Sequence, residues 1–137
     1  MVSEAKLTGA ACIQKRAHEL ASQLGKLDFQ LPSKPSGDGS HHLEVRDAYY
    51  LVVTDRDHEV ERRRTTDPEE LLYWLMEALT SSLSWTFERG RRRESEDPRR
   101  QAFEKQLKLL GTLSPDWARR RSQEQTDILS RHPFSDY

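Results

Sequence analysis

The sequence predicts an α+β fold, because strand patterns and helical patterns occupy separate stretches of the chain. Strand-like runs fall within residues 41–66, one helical pattern precedes them, and three helical patterns follow. Segregation of this kind favours an antiparallel sheet, whereas regular alternation would favour a parallel one. We therefore expect an N-terminal helix, a three-stranded antiparallel meander, and three C-terminal helices packed on one face of the sheet.

The composition is that of one charged domain. The chain has 137 residues, of which 33% are charged and 34% hydrophobic, with a net charge of −1. That length suits a single core. We expect one domain over residues 1–137, with an N-terminal helix in 1–30, a sheet in 41–66 and a helical part in 67–134.

The first helix is predicted from apolar spacing. Between Ser3 and Leu24, apolar residues recur every three or four positions, at Ile13, Ala17 and Leu20, and Gly25 follows as a stop. The single cysteine, Cys12, has small and apolar neighbours and is expected to be a buried, inert thiol. Prolines and glycines in residues 31–40 predict a surface loop.

The sheet is predicted from three short runs. Residues 43–46 alternate apolar and charged side chains, and residues 49–54 are aromatic and β-branched. Residues 55–58 are polar and predict a turn. Residues 59–66 contain one aliphatic side chain among charged ones, which is typical of an edge strand.

The helical part has two sharp start signals. Asp67 and Pro68 predict an N-cap followed by proline at the first helical position, and Ser114 and Pro115 repeat that pattern. The helix after Asp67 is apolar on nearly all sides in its first half. Gly90 and a second proline at position 98 are expected to break the helical pattern between these starts.

Metal and nucleotide chemistry find little support. Gly37 and Gly39 lie in a proline-bearing loop that no helix start follows, so a phosphate loop is not expected. His41 and His42 are adjacent in a strand and should point to opposite faces, so with His58 they favour solvated histidines over a metal site. We expect neither a metal nor a cofactor.

Catalysis also finds little support. Glu59 and Glu61 are spaced by two, which in a regular strand would place both carboxylates on one face, as in a catalytic pair. The neighbouring arginines favour ion pairs in solvent instead. No serine or cysteine lies in a recognisable nucleophile motif. The sequence therefore predicts a protein that is not an enzyme.

Basic clusters at residues 89–100 and 119–121 leave a second function open. They would suit a nucleic-acid-binding or regulatory domain, yet acidic residues are interspersed and aromatic residues are not interleaved for base stacking. A solvated, ion-paired face is the favoured interpretation, and nucleic acid is not the expected partner.

Several separate segments resemble the immunity protein 63 family of bacterial polymorphic toxin systems. They follow one another in the same order from about residue 41 to the C-terminus, and they are 42–45, 49–54, 58–67, 69–74, 103–111, 113–117 and 131–134. The resemblance implies a cytoplasmic bacterial protein that binds and neutralises a toxin encoded by a neighbouring gene. It supplies no established active residues.

The charged hairpin is the candidate toxin-binding surface. Charged groups there are expected to steer and orient a partner while one or two aromatic residues anchor it. The alternative is that they form only a solvated sheet edge. The candidate residues are Asp55, Asp57, Glu59, Glu61, Arg62 and Arg64. No segment of the sequence is apolar enough to predict a membrane span, so a membrane is not an expected partner.

Overall fold

The structure is a computed structural model that describes residues 7–137. Within that range it contains four helices and three strands, in the order α1 (Ala10–Gln23), β1 (Asp38–Val45), β2 (Tyr49–Asp55), β3 (His58–Thr65), α2 (Pro68–Gly90), α3 (Pro98–Leu113) and α4 (Pro115–Arg131). The strands form an antiparallel sheet in the order β1-β2-β3. The predicted α+β class and element order are confirmed.

The chain forms two compact units, Met1–Trp74 and Leu75–Tyr137. The first, which we call the sheet unit, holds α1, the sheet and the start of α2. The second, the helical unit, holds the rest of α2 with α3 and α4. A single domain over the whole chain stays a prediction.

Helix α1 is shorter than the sequence pattern suggested. Residues 3–6 of the predicted helix lie outside the described residues, and the helix begins at Ala10. It buries Ile13, Ala17 and Ala21 on one face, and Gly25 follows it with a φ of 86°. Cys12 lies off the buried face and is exposed, so the prediction of a buried thiol is wrong.

The first strand begins within the predicted loop, at Asp38 rather than residue 41. Gly37 and Gly39 have positive φ values of 70° and 84°, which let the chain enter the strand through a tight turn. The Asp38 carboxylate accepts hydrogen bonds from the backbone N–H of Ser40 and the hydroxyl of Ser36. Strand β1 therefore begins earlier than predicted, because glycine tolerates the positive φ values that this turn requires.

Helix α2 begins where its cap predicted. The Asp67 carboxylate accepts a hydrogen bond from the N–H of Glu69 at 2.9 Å, and Pro68 is the first helical residue. All six residues from Leu71 to Met76 are buried. The prediction that the first half of this helix is apolar on nearly all sides is confirmed.

The helical unit is tied together by one buried amide, that of Gln106. Its Nε2 donates to the Glu77 carbonyl oxygen at 3.0 Å and to Thr80 Oγ1 at 3.2 Å. Its Oε1 accepts from Arg121 Nε at 3.0 Å and from Gln125 Nε2 at 3.2 Å. Because these partners lie on α2 and α4, a single side chain of α3 links three helices.

The C-terminal tail is held against the start of α3 by Asp97. One carboxylate oxygen accepts from the N–H of Arg99 at 3.0 Å, and the other accepts from the N–H of Ser135 at 2.8 Å. The Arg99 guanidinium and these backbone donors hold the pKa of Asp97 well below its usual range. Phe134 packs under Arg100, whose guanidinium carbon lies 4.1 Å from the ring centroid. The tail therefore returns to the start of α3.

No helix in residues 7–137 combines the length and apolar character that crossing a membrane requires.

The first prediction concerns the tail contact. Asp97→Ala should lower the free energy of unfolding by about 3 kcal/mol, because it removes an N-cap and hydrogen bonds to a charged group. Urea denaturation at pH 7 measures the change. The control is Glu94→Ala, an exposed residue of the same turn, which should stay within about 0.5 kcal/mol of wild type. Equal losses in both variants would contradict the assignment.

Candidate functional site

Strand β3 is the charged edge of the sheet. Residues 58–64 are all exposed and Thr65 is half-buried, and β3 pairs with β2 along one side. The prediction of a charged edge strand is therefore confirmed. Because residues 58–64 are solvated on both faces of the strand, β3 is available for contact with another molecule.

A β-bulge at Val60 divides the charged residues of β3 between the two faces. Glu59 lies opposite Thr54 and Glu61 lies opposite Val53, so two steps along β3 match one step along β2. The extra residue, Val60, is 64% exposed. The expectation that Glu59 and Glu61 share a face is wrong, because the bulge reverses the alternation between them.

One face of the sheet carries a connected charge cluster around Arg62. Its guanidinium donates to Glu59 Oε1 at 2.6 Å and to Glu44 Oε1 at 3.1 Å. The other oxygen of Glu44 contacts Nε2 of His42 at 2.9 Å. His42 is buried, so the expectation that the histidines are all solvated is wrong for this residue. Arg62, followed by His42, lowers the pKa of Glu44 to about 2.

Tyr50 lies in the middle of the same face. The guanidinium carbons of Arg46 and Arg62 lie 4.8 Å and 5.4 Å from its ring centroid. Its hydroxyl donates to Asp47 Oδ1 at 2.7 Å, and Arg64 donates to the other oxygen of Asp47 at 3.4 Å. The ring is thus fixed by cations and a hydrogen bond while staying partly exposed. We call this surface the Tyr50 face; it consists of Tyr50, Glu44, Arg46, Asp47, Glu59, Arg62 and Arg64.

Three of the six sequence-predicted residues, Glu59, Arg62 and Arg64, come together on the Tyr50 face. Glu61 lies on the opposite face, where its carboxylate is 3.9 Å from Arg63. Asp55 and Asp57 lie at the hairpin end, away from both groups.

That hairpin end is a two-residue turn. Asp55 pairs with His58 in register, and Asp57 follows Arg56, which has a φ of 57°. A four-residue turn over 55–58 was predicted. The observed turn is two residues shorter, because Asp55 belongs to β2 and His58 to β3.

The predicted site residues did not include Tyr50, Glu44, Arg46 and Asp47. A usable signal was present, since adjacent Tyr49 and Tyr50 in a strand must point to opposite faces. Tyr49 is fully buried and its hydroxyl donates to the backbone of Thr8 at 2.9 Å. Tyr50 is therefore the tyrosine available to a partner.

The arginine-rich segment between α2 and α3 is largely ion-paired within the chain. Guanidinium–carboxylate pairs at 2.9–3.3 Å join Arg92 to Glu88, Arg93 to Glu96, Arg99 to Asp97 and Arg100 to Asp136. In α4, Arg119 pairs with Asp116, and Arg121 pairs with Glu77 at 3.1 Å. Phosphate binding would have to compete with these carboxylates, which disfavours a nucleic-acid interface.

Metal-binding geometry does not occur in the part of the chain from residue 7 onward. No group of three or more His, Cys, Asp or Glu side chains is placed there to hold an ion.

One comparison with known proteins gives a match. A family model described as Immunity protein 63 matches residues 46–127, which span β2, β3, α2, α3 and most of α4. Tyr50, Glu59, Arg62 and Arg64 lie inside the matched range, and Glu44 precedes it. No curated protein and no solved structure gives a significant match.

The second prediction concerns the pH dependence of the Arg62 cluster. Ionised Glu44 stabilises the fold fully above its ordinary pKa of 4.5, and this contribution is lost as the pH falls towards about 2. Wild type should therefore exceed Glu44→Gln in unfolding free energy by a constant amount at pH 6–8. The difference, on the order of 1 kcal/mol for a partly exposed group, should shrink below pH 4.5.

Urea denaturation across this pH range measures that difference. Arg62→Gln is the matched control, because it removes the partner of Glu44. Its difference from wild type in unfolding free energy should decrease below pH 4.5 in the same way. A difference that stays constant down to pH 3 would contradict the assignment.

Proposed function

The chain belongs to the immunity protein 63 family, and from that premise we propose that it binds and neutralises a cognate bacterial toxin as a stoichiometric protein–protein complex. The family match is the observation that carries this proposal. The partner is a toxin domain encoded by a neighbouring gene, met in the cytoplasm of the producing cell. Inhibition proceeds by occupation of the toxin, without catalysis by the immunity protein.

We assign the toxin contact to the Tyr50 face. A partly exposed tyrosine flanked by arginines has the composition of binding hot spots, in which Tyr, Trp and Arg predominate. Arg62 is held by two carboxylates before any partner arrives. Ordering long side chains in advance reduces the entropy lost on binding, so a rigid cluster binds better than an equally charged mobile one.

Contact through side chains is favoured over addition of a toxin strand to β3. The bulge at Val60 interrupts the regular backbone spacing near the start of the strand. Charged side chains and bulges on an edge both discourage pairing with a foreign strand. Specificity then depends on which charges and ring faces are presented, and it can change between partners by single substitutions.

The third prediction uses the bulge to distinguish the two faces. Glu59→Lys should weaken affinity for the neighbouring gene's toxin domain about tenfold, a loss of about 1.4 kcal/mol. This is less than the roughly 2–5 kcal/mol lost when a buried charge pair is broken, because Glu59 is exposed. Glu61→Lys, two residues away on the opposite face, should change it less than threefold. Isothermal titration calorimetry with purified, catalytically inactivated toxin gives both constants. A larger loss of affinity for Glu61→Lys than for Glu59→Lys would place the contact on the opposite face of the sheet.

The fourth prediction concerns the aromatic anchor. Tyr50→Ala should cost about 2 kcal/mol of binding free energy, mostly through faster dissociation, as expected for a hot-spot tyrosine. Surface plasmon resonance measures the dissociation rate, and circular dichroism checks that the variant is folded. Tyr137→Ala serves as the control, because that side chain is 86% exposed and lies in the other unit. A folded Tyr50→Ala protein with unchanged kinetics would remove the Tyr50 face as the contact.

A further inference from the structure

A small cavity lies in the helical unit beside Phe87, near the end of α2. Its volume is about 120 Å³, and it is lined by Phe87, Arg93, Gln101, Glu104, Lys105 and Lys108. The four α3 residues recur at intervals of three and four and therefore share one helix face. We call this cavity the Phe87 pocket.

Two cations beside the Phe87 pocket lack an acidic partner. Lys105 Nζ lies 4.5 Å from the centroid of the Phe87 ring, and the Arg91 guanidinium carbon lies 4.8 Å from it. Neither has a carboxylate within 4 Å among residues 7–137, although Arg92 and Arg93 in the same segment are both ion-paired. An external carboxylate could bind Lys105 in the pocket without breaking an internal ion pair, and Arg91 adds a second unpaired positive charge beside the same ring.

Gln101, which lines the pocket, has an acceptor atom that lacks a donor. Gln101 is 4% exposed, and its buried Oε1 accepts no hydrogen bond from any described residue. Buried polar atoms in folded proteins nearly always have a partner. Of the four buried side-chain atoms without one in the described residues, this is the one whose residue lines the pocket. A backbone N–H is a suitable donor.

The size and chemistry of the pocket select one kind of ligand. Pockets for whole cofactors or drug-sized molecules usually have volumes of about 300–1,000 Å³, so this cavity suits a single side chain. An acidic residue in a peptide supplies a carboxylate for Lys105 and an N–H for Gln101. Nucleic acid is the poorer fit, because a phosphodiester carries a sugar on either side and a cavity of about 120 Å³ suits only one side chain. Glu104 in the wall pairs with Lys108 at 3.4 Å and opposes a carboxylate and a phosphate alike.

We propose that the Phe87 pocket is a second contact for the cognate toxin and takes a carboxylate side chain from an acidic segment of that protein. The proposal rests on the proposed function for the identity of the partner. The chemistry of the pocket, in contrast, can be tested without any toxin.

The toxin-independent test uses blocked amino acids as probes. N-acetylglutamate methylamide should shift the side-chain amide signals of Gln101 and the backbone signal of Lys105 in ¹H–¹⁵N NMR spectra of the full chain. Saturation is expected with a dissociation constant on the order of 1 mM, typical of a single weak contact. N-acetylglutamine methylamide, which lacks the charge, is the matched control.

Two results of this titration would overturn the proposal. One is an equal response to the charged and neutral probes, or no response to either. The other is a larger shift of the same signals by a single-stranded oligonucleotide at physiological salt, which would assign the pocket to nucleic acid.

The toxin-dependent test is charge reversal at the pocket. Lys105→Glu should weaken toxin affinity about tenfold, with a slower association rate and a reduced salt dependence. Lys34→Glu reverses an exposed lysine in the loop before β1 and should change affinity less than twofold.

The outcomes separate the two proposals. If wild type binds the toxin and Lys105→Glu binds it equally well, the pocket contact is wrong and the toxin-binding function stands. If the wild-type chain does not bind the toxin, the proposed function fails, and saturation by the charged probe still decides whether the pocket takes a carboxylate.

Discussion

The four hydrogen bonds of Gln106 are the interaction on which the helical unit depends. The chain is only 34% hydrophobic, so its helices cannot be joined by apolar contact alone and must bury polar groups between them. Each such group is costly unless it is paired. Gln106 satisfies both ends of its amide with partners on two other helices. The packing of α2, α3 and α4 in this unit therefore depends on these side-chain hydrogen bonds.

The same constraint explains the pairs around the helix ends. Glu88 is buried, and the Arg92 guanidinium donates to both of its oxygens at 2.9 Å and 3.0 Å. Asp97 is buried with Arg99 and the tail backbone as donors. Arginines that look available for a nucleic acid are thus needed to keep acidic side chains inside the fold. The pocket atom Oε1 of Gln101 departs from this pattern.

Local chemistry decides how much of this structure the sequence can predict. Caps such as Asp67 and Ser114 depend on three or four consecutive residues, and both helices start where predicted. The bulge at Val60 depends on how β3 pairs with β2. The residues of β3 alone do not determine that pairing. The cluster around Tyr50 likewise combines residues from three strands and a turn. The charged strand could therefore be predicted from the sequence, but the face on which each of its residues lies could not.

The two proposed contacts differ in a way that bears on how an immunity protein works. The acidic and basic groups of the Tyr50 face already neutralise one another, so that face exerts little long-range attraction and suits short-range selection between partners. Lys105 and Arg91 keep their charge unpaired, which suits attraction of an acidic toxin from a distance. Fast association is favoured by unpaired charges, whereas discrimination between partners is favoured by charges that are already paired. A chain that separates them onto different surfaces can alter its specificity without losing its association rate.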